Sequence, residues 1–507
     1  LGRDLCYRDL TLRSGASKWK NMSQKINYNG RILVLGCGGV AQCLLPVLLR
    51  HLEMPADRIT VIDMVDNRAQ IKSVLDQGVH YVQERITPDH YEEQFARYLK
   101  PGDMLIDLAW NLGCIDLLDW CHEQDVLYIN TSTELWEPFS NAESQHTIDR
   151  TLYVRYMAIR KLVSSWQEQK GTTAVIEHGA NPGLVSHFTK QGLIDIARKI
   201  LYDKPQDPRV PALEQALEER RFDQLAFLTG VKVIHISERD TQITRQPRRV
   251  NEFVNTWSVE GFYEEGIAPA EMGWGTHEQS LPRGARLHHS GPRNQICLAR
   301  YGMNTWVRSW VPSGEILGMV IRHGEAFSIS DFLTLEDGHG HVVYRPTVHY
   351  AYCPCDSAIA SLHELRMRNY QLQQKWRILK DDIISGRDEL GCLLMGHDYT
   401  AWWTGSLLDI EEARRIIPGQ NATTLQVAAS MMGAINWMIK NPRQGVCLPE
   451  DLPHEDIMGL ARQYLGPYVS QPVDWMPGMQ KDISATLFPD YPVSDTDPWQ
   501  FNRFLVV

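Results

Sequence analysis

The 507-residue chain has no apolar run approaching the roughly 18 or more residues that a bilayer span needs. Its N-terminus lacks the compact apolar stretch and small-residue cleavage site of a signal peptide, so a cytoplasmic protein is expected. Paired cysteine spacing is also missing: the ten cysteines are scattered, as suits a reducing compartment. The closest pair, Cys353-Pro354-Cys355, has no second pair to complete a zinc set, and no metal is expected. There is no excess of basic charge. Lys and Arg number 51 against 62 Asp and Glu, a net charge of −11, and the dispersed cations leave no nucleic-acid footprint. Internal repeats and biased tracts are absent as well, which excludes solenoid and fibrous architectures.

What is present is a long globular sequence, and its length predicts two or three domains. Residues 1–28 are polar, basic and weakly patterned; they read as a leader or extension, with Met22 resembling a natural start. From Arg31 onwards, short apolar strands alternate with helical stretches. Strands are predicted over Ile32 to Leu35, Ile59 to Ile62, His80 to Val82, Met104 to Ala109 and Val126 to Ile129, and a helix over Val40 to Leu52. That alternation predicts an α/β fold, a Rossmann-type doubly wound parallel sheet covered on both faces. Leu152, Tyr156, Ile159, Val163 and Trp166 mark one face of a long helix. Beyond it, Gly230 to Ile236, Phe327 to Leu335 and Val342 to Tyr352 predict a second, α+β domain with a mixed or antiparallel sheet. Glu336 to His341 reads as a hairpin tip, and Ala422 to Ile439 as a buried helix. The expected division is 29–150 for the nucleotide-binding domain, completed by 440–507, and 151–439 for the substrate-binding and dimerisation domain.

The clearest motif is Gly36-Cys37-Gly38-Gly39-Val40-Ala41, which follows an apolar strand and opens a helix as a dinucleotide turn must. Gly36 permits the tight turn, and Gly38 lets backbone approach a pyrophosphate. Gly39 and Val40 stand at the helix N-terminus, where amides and dipole favour an anion. Ala41 still allows close helix–strand packing. Asp63, closing the second strand, suits ribose hydroxyls and would repel a 2′-phosphate, so NAD is predicted over NADP. Ala109, Trp110, Asn130 and Thr131 sit where loops at strand ends should add cofactor contacts. The bland alternative is a glycine-rich turn that binds nothing; strand, helix and acid together weigh against it.

Polar residues then cluster with small and aromatic neighbours, in Thr131 to Trp136, Gly179-Ala180-Asn181-Pro182-Gly183, His235 to Thr241, Asn255 to Gly261, Gly273 to Glu278 and His323-Gly324-Glu325. With Tyr350-Ala351-Tyr352, Asp388-Glu389-Leu390-Gly391 and Ser494 to Phe501, these segments resemble the bacterial homospermidine synthases, within the wider saccharopine-dehydrogenase-like group. The resemblance runs from about Gly30 nearly to the C-terminus. It implies an alkyl transferase that joins two putrescine molecules through imines and releases ammonia. NAD would act as a hydride store regenerated in each turnover, and spermidine is a second possible amine. A homodimer is implied too. Carried over residue by residue, the resemblance makes Asn181, Glu238, Trp257, His323 and Glu325 catalytic and Glu134, Asn111 and Asp388 amine-binding. A diammonium needs carboxylates at its ends, an indole face stabilises a cation, and imidazole relays protons near neutral pH. Read singly, each is as readily an ion-pair partner, a turn residue or core. Asn111 stands where an acid occurs in some family members. A reductive condensing dehydrogenase of the saccharopine or carboxynorspermidine type is the rival enzyme, expected to need paired arginines for an amino-acid carboxylate. A non-catalytic NAD-binding sensor is the rival from outside catalysis.

Overall fold

A computed structural model describes residues 25–140, 144–168, 170–479, 487 and 497–506. Seven parallel strands form the first sheet, in the order Val446–Cys447, Ala174–Val175, Leu127–Asn130, Met104–Asp107, Ile32–Leu35, Ile59–Asp63 and His80–Gln83. Ile32–Leu35, Met104–Asp107 and Leu127–Asn130 are buried at every position, which explains why they read as continuous apolar runs rather than alternating ones. Chain order reverses between Ile32–Leu35 and Met104–Asp107. The carboxyl ends of these two neighbours are therefore the switch point at which a doubly wound sheet opens a crevice.

The second sheet has eleven strands and is mixed. Its centre is Val233–Asp240, parallel to Thr347–Cys353 on one side and antiparallel to Arg387–Met395 on the other. The strand extends past the predicted Ile236 and carries Glu238 to its carboxyl end. Helix Ala422–Lys440 packs against both the helix Gly39–His51 and the second sheet, and Leu184–Asp203 against the second sheet, most of their residues buried.

Three expectations change. Phe327 to Leu335, predicted as strand, contains the helix Glu325–Phe332. Residues 325–330 are buried on all sides, and a short apolar run buried all round has no periodicity to tell helix from strand. This helix packs so closely on the strand Pro269–Gly273 that a Cβ at Gly273 would lie 2.5 Å from the Ala326 carbonyl oxygen. Residues 440–507, expected to complete the first domain, are divided. Val446–Cys447 extends the parallel sheet, whereas Tyr468–Val473 and Leu505–Val506 pair with second-sheet strands whose edges were otherwise open. Ala174–Val175 also carries the parallel sheet beyond residue 150. Most of the 1–28 leader, Met22 included, lies outside the described residues. Ile26–Asn27 forms a short parallel pair with Leu52–Glu53.

The turn at the switch point gives a direct contrast between two glycines. Gly36 has φ 83°, and a Cβ there would meet the Leu108 carbonyl oxygen at 2.8 Å; one at Gly38 would meet nothing within 4 Å. Gly36→Ala is expected to destabilise the fold by about 1–3 kcal/mol, from a left-handed backbone and a backbone clash. Gly38→Ala should leave the melting temperature unchanged and weaken NAD binding by about 1–3 kcal/mol, through overpacking against ligand alone. Thermal unfolding and titration calorimetry on the two variants check both halves.

Candidate active site

A cavity of about 200 Å³ opens at the switch point, between the two sheets. One wall comes from the first cofactor-helix turn (Val40) and the strand-end loops Leu108 to Trp110 and Thr131 to Glu134; the other holds Asn181, Glu238, Trp257, Glu264, Glu265, Arg322, His323, Tyr350 and Thr423. Of the residues singled out in the sequence, Val40, Ala109, Trp110, Thr131, Glu134, Asn181, Glu238, Trp257 and His323 are therefore on the cavity wall.

The cofactor turn lies at one end. The Gly36 amide donates to the Ile62 carbonyl at 2.8 Å. Asp63 accepts from the Cys37 amide at 2.5 Å and the Val65 amide at 2.8 Å, so this carboxylate braces the turn while keeping lone pairs for hydroxyl donors. The open space over Gly38 is a cradle that a side chain would fill. Together with the helix Gly39–His51 behind it, it fits the pyrophosphate of a dinucleotide. Ala41 is buried against the sheet, as close helix–strand packing requires. Lys380, from the second domain, lies over the same helical turn and donates to Gln42 Oε1; nothing in its sequence neighbourhood singled it out.

Glu238 sits at the centre of the opposite wall. Tyr350 OH donates to its Oε2, and so does Asn181 Nδ2, at 3.0 Å. Burial raises its pKa to about 7, although the tyrosine hydrogen bond pulls it down. Glu134 accepts from Ser132 Oγ at 2.9 Å, and burial, aided by the charge of Glu264, pushes it up to about 8. Trp257 donates its indole N–H to Tyr352 at 3.1 Å, which fixes its ring on the cavity wall. The His323 ring lies 4.3 Å from that of Tyr350. Its Nε2 is 3.1 Å from Glu265 and its Nδ1 3.3 Å from Glu325. Burial opposes a charged ring there, but the two carboxylates outweigh it and hold the His323 pKa well above the ordinary value.

Four predicted residues stand behind the wall. Glu325 is fully buried beneath His323, so it acts on the cavity through that imidazole. Asp388 lies under Thr423, whose hydroxyl donates to it at 2.5 Å; burial first, then the charges of Glu238 and Asp240, raise its pKa well above normal. Asn130 points into the first domain, donating to Tyr128 OH at 3.1 Å and accepting from the Glu177 amide at 2.7 Å, because a fully buried strand end leaves its amide no outward path. Asn111 has φ 61° and a buried side-chain oxygen that is off the cavity wall.

The sequence reading missed an ion-pair set. Glu264 accepts from Arg155 at 2.9 Å and from Arg322, both guanidinium groups lying on the cavity wall. Trp110 Nε1 reaches the same carboxylate at 3.3 Å. Helical spacing alone places Glu264 and Glu265 on a short helix, Val259–Ile267, with no motif to separate them from surface acids. Arg155 and Arg322 come from distant segments, and no spacing could pair them.

The carboxyl groups give a pH prediction. Glu238 and Glu134 have folded-state pKa values raised to about 7 and about 8. Their contribution to stability is full below the ordinary carboxyl range and is lost as pH rises through those values. Ligand-free protein should become steadily less resistant to urea between about pH 5 and 8. Glu238→Gln and Glu134→Gln should each flatten that decline; unfolding curves at several pH values test it.

The chain has clear relatives. The saccharopine dehydrogenase NADP binding domain family matches residues 32–175, and the saccharopine dehydrogenase C-terminal domain family matches residues 179–467. A homospermidine synthase of Blastochloris viridis is 40% identical, over 94% of this chain and 98% of its own length. That of Mesorhizobium japonicum is 37% identical, over 94% and 96%. The crystal structure of the homospermidine synthase from Legionella pneumophila in complex with NAD superposes with a TM-score of 0.84 at 38% identity, covering 95% of this chain and 99% of that one. With family matches on both domains and near-complete alignment to these enzymes, the chain belongs to the homospermidine synthase family.

Proposed function

We propose that the protein condenses two putrescine molecules to homospermidine with release of ammonia, using NAD as a regenerated hydride store. The observation that carries this reading is the cavity's charge pattern. Glu134 and Glu238, which form no ion pair among the described residues, are carboxyl groups whose pKa burial raises to near neutrality, while its two arginines are paired with Glu264. A carboxyl group that is neutral when buried ionises readily once an ammonium arrives, because the pair then shares the cost of leaving water. A substrate carboxylate would have to displace Glu264 from two guanidinium groups. That disfavours the reductive condensing dehydrogenase, whose oxo-acid or amino-acid substrates carry such a group.

When bound at the Gly38 cradle, NAD supplies reversible hydride exchange with the carbon next to an amine. The chain's own residues do the rest. Glu238, oriented by Tyr350 and Asn181, accepts the ammonium in the cavity and takes up its proton as the amine becomes reactive. Trp257, on the cavity wall, presents an aromatic face to the cationic iminium, a contact contributing about 0.5–2 kcal/mol where water is excluded. His323, charged between Glu265 and Glu325, donates a proton to the departing ammonia and recovers it from the incoming second amine. Glu134 on the first-domain wall holds the distal ammonium. Asp388, through Thr423, and Asn111 support the site from outside the cavity wall.

The reading extends to a homodimer formed through the second domain, supported by family membership and by the exposed apolar side chains Leu287, Tyr301 and Leu317 on its strands. Sedimentation should then give about twice the 58.1 kDa chain mass. A cytoplasmic location is supported by the nine described cysteines, all free; among the described residues no helix is long and apolar enough to cross a membrane.

Incubation with putrescine and a catalytic amount of NAD⁺ should yield homospermidine and ammonia in equal amounts, with no net NADH. Accumulating NADH, or a requirement for stoichiometric NADH, contradicts the proposal. Trp257→Ala should lower kcat by about tenfold or more, the value of one desolvated cation–π contact, while NAD affinity stays within twofold. Equal loss of both would remove Trp257 from its assigned role.

A further inference from the structure

Glu177 lines the cavity, and neither the sequence motifs nor the mechanism above uses it. It is 2% exposed and has φ 58°, a left-handed backbone that a glutamate adopts only when its surroundings demand it. The demand is visible. Its amide donates to Asn130 Oδ1 at 2.7 Å, and the following amide, that of His178, donates to the Asn130 carbonyl at 2.9 Å. This clasp turns the Glu177 side chain across the cavity floor. Oε1 accepts from both the amide and the hydroxyl of Thr133, at 3.0 and 2.8 Å. Oε2 accepts from Tyr156 OH and faces Gly324 so closely that a Cβ there would lie 1.7 Å from it.

The two contacted segments matter because of their neighbours. Thr133 precedes Glu134, the carboxyl group on the first-domain wall. Gly324 follows His323 on the opposite wall and precedes Glu325, which is buried behind it. One carboxylate is thus the bridge between the backbone that carries Glu134, which holds the distal ammonium, and the backbone that carries His323, the proton relay at the reacting amine. Its reach fixes their separation, and the absence of a side chain at Gly324 allows the contact.

We propose that Glu177 is a positioning residue, the spacer that sets the distance between the Glu134 wall and the His323 wall and so selects the length of the diamine. The inference rests on the diamine reading given under Proposed function. It assigns Glu177 no proton transfer and no contact with reacting atoms. The carboxylate acts through Thr133 and Gly324.

The test compares kcat/KM for 1,3-diaminopropane, putrescine and cadaverine in wild type, Glu177→Asp, Glu177→Gln and Gly324→Ala, with NAD affinity measured on each. Glu177→Asp shortens the spacer by one methylene and should shift preference towards the three-carbon diamine by about tenfold, the discrimination one methylene carries in a fitted pocket. Gly324→Ala pushes the walls apart and should shift preference towards the five-carbon diamine. Glu177→Gln keeps the reach and should keep the wild-type ratios even if turnover falls. A loss shared equally by the three diamines in Glu177→Asp and Gly324→Ala overturns the spacer and leaves the diamine reading intact. A wild-type protein that makes no homospermidine from putrescine overturns both.

Discussion

Removing a carboxyl group from water disfavours its charge, and the rest of this site follows from how that cost is met. Five glutamates face one cavity: Glu134, Glu177, Glu238, Glu264 and Glu265. Glu264 keeps its charge against burial because Arg155 and Arg322 lie beside it. Glu265 is offset by His323, whose imidazole is charged for the same reason. Glu177 stays buried with hydrogen bonds from Thr133 and Tyr156. Among the described residues Glu134 and Glu238 form no ion pair with a guanidinium and burial keeps their pKa values raised, so on the diamine reading they are the two whose charge an incoming ammonium completes. On the proposed reading, selectivity for a dication arises from the uneven distribution of partners among similar side chains.

The two domains divide the work by backbone and by side chain. The first presents peptide groups: a glycine turn, an open cradle over Gly38 and the start of a helix. These suit a ligand of fixed shape and negative charge. The second presents side chains from strands and short helices, which suit a flexible, positive substrate. Their meeting line is the switch point of the parallel sheet, where order reversal between Ile32–Leu35 and Met104–Asp107 leaves an opening.

Much of this was legible in the sequence wherever a feature is local. The parallel strands appear as short apolar runs because they are buried on both faces, and the turn at Gly36 to Ala41 has strand, helix and Asp63 in register. The helix Glu325–Phe332 was not legible, since burial on every side erases the period that distinguishes it from a strand. Among the residues assigned to the proposed amine site, Glu238 and Trp257 came from motif segments rather than from their chemistry. Asn130 was placed at the right strand end, but the strand's last side chain turns inward. Arg155, Glu264 and Arg322 were missed for a simpler reason: they meet only after the chain has folded, and no spacing records a contact between a helix, a second helix and a strand end.

The strand Val446–Cys447 has a consequence for how the protein is made. It closes the parallel sheet beside Ala174–Val175, yet it is synthesised after nearly all of the second domain. During translation the emerging first domain therefore carries an open edge beside Ala174–Val175, with backbone groups that another chain can pair with. The polypeptide between these strands must fold while that edge waits, and the first domain cannot reach its final form as an independent unit. A lesion in the second domain is thus expected to surface as early misassembly of the nucleotide-binding half, far from the altered residue.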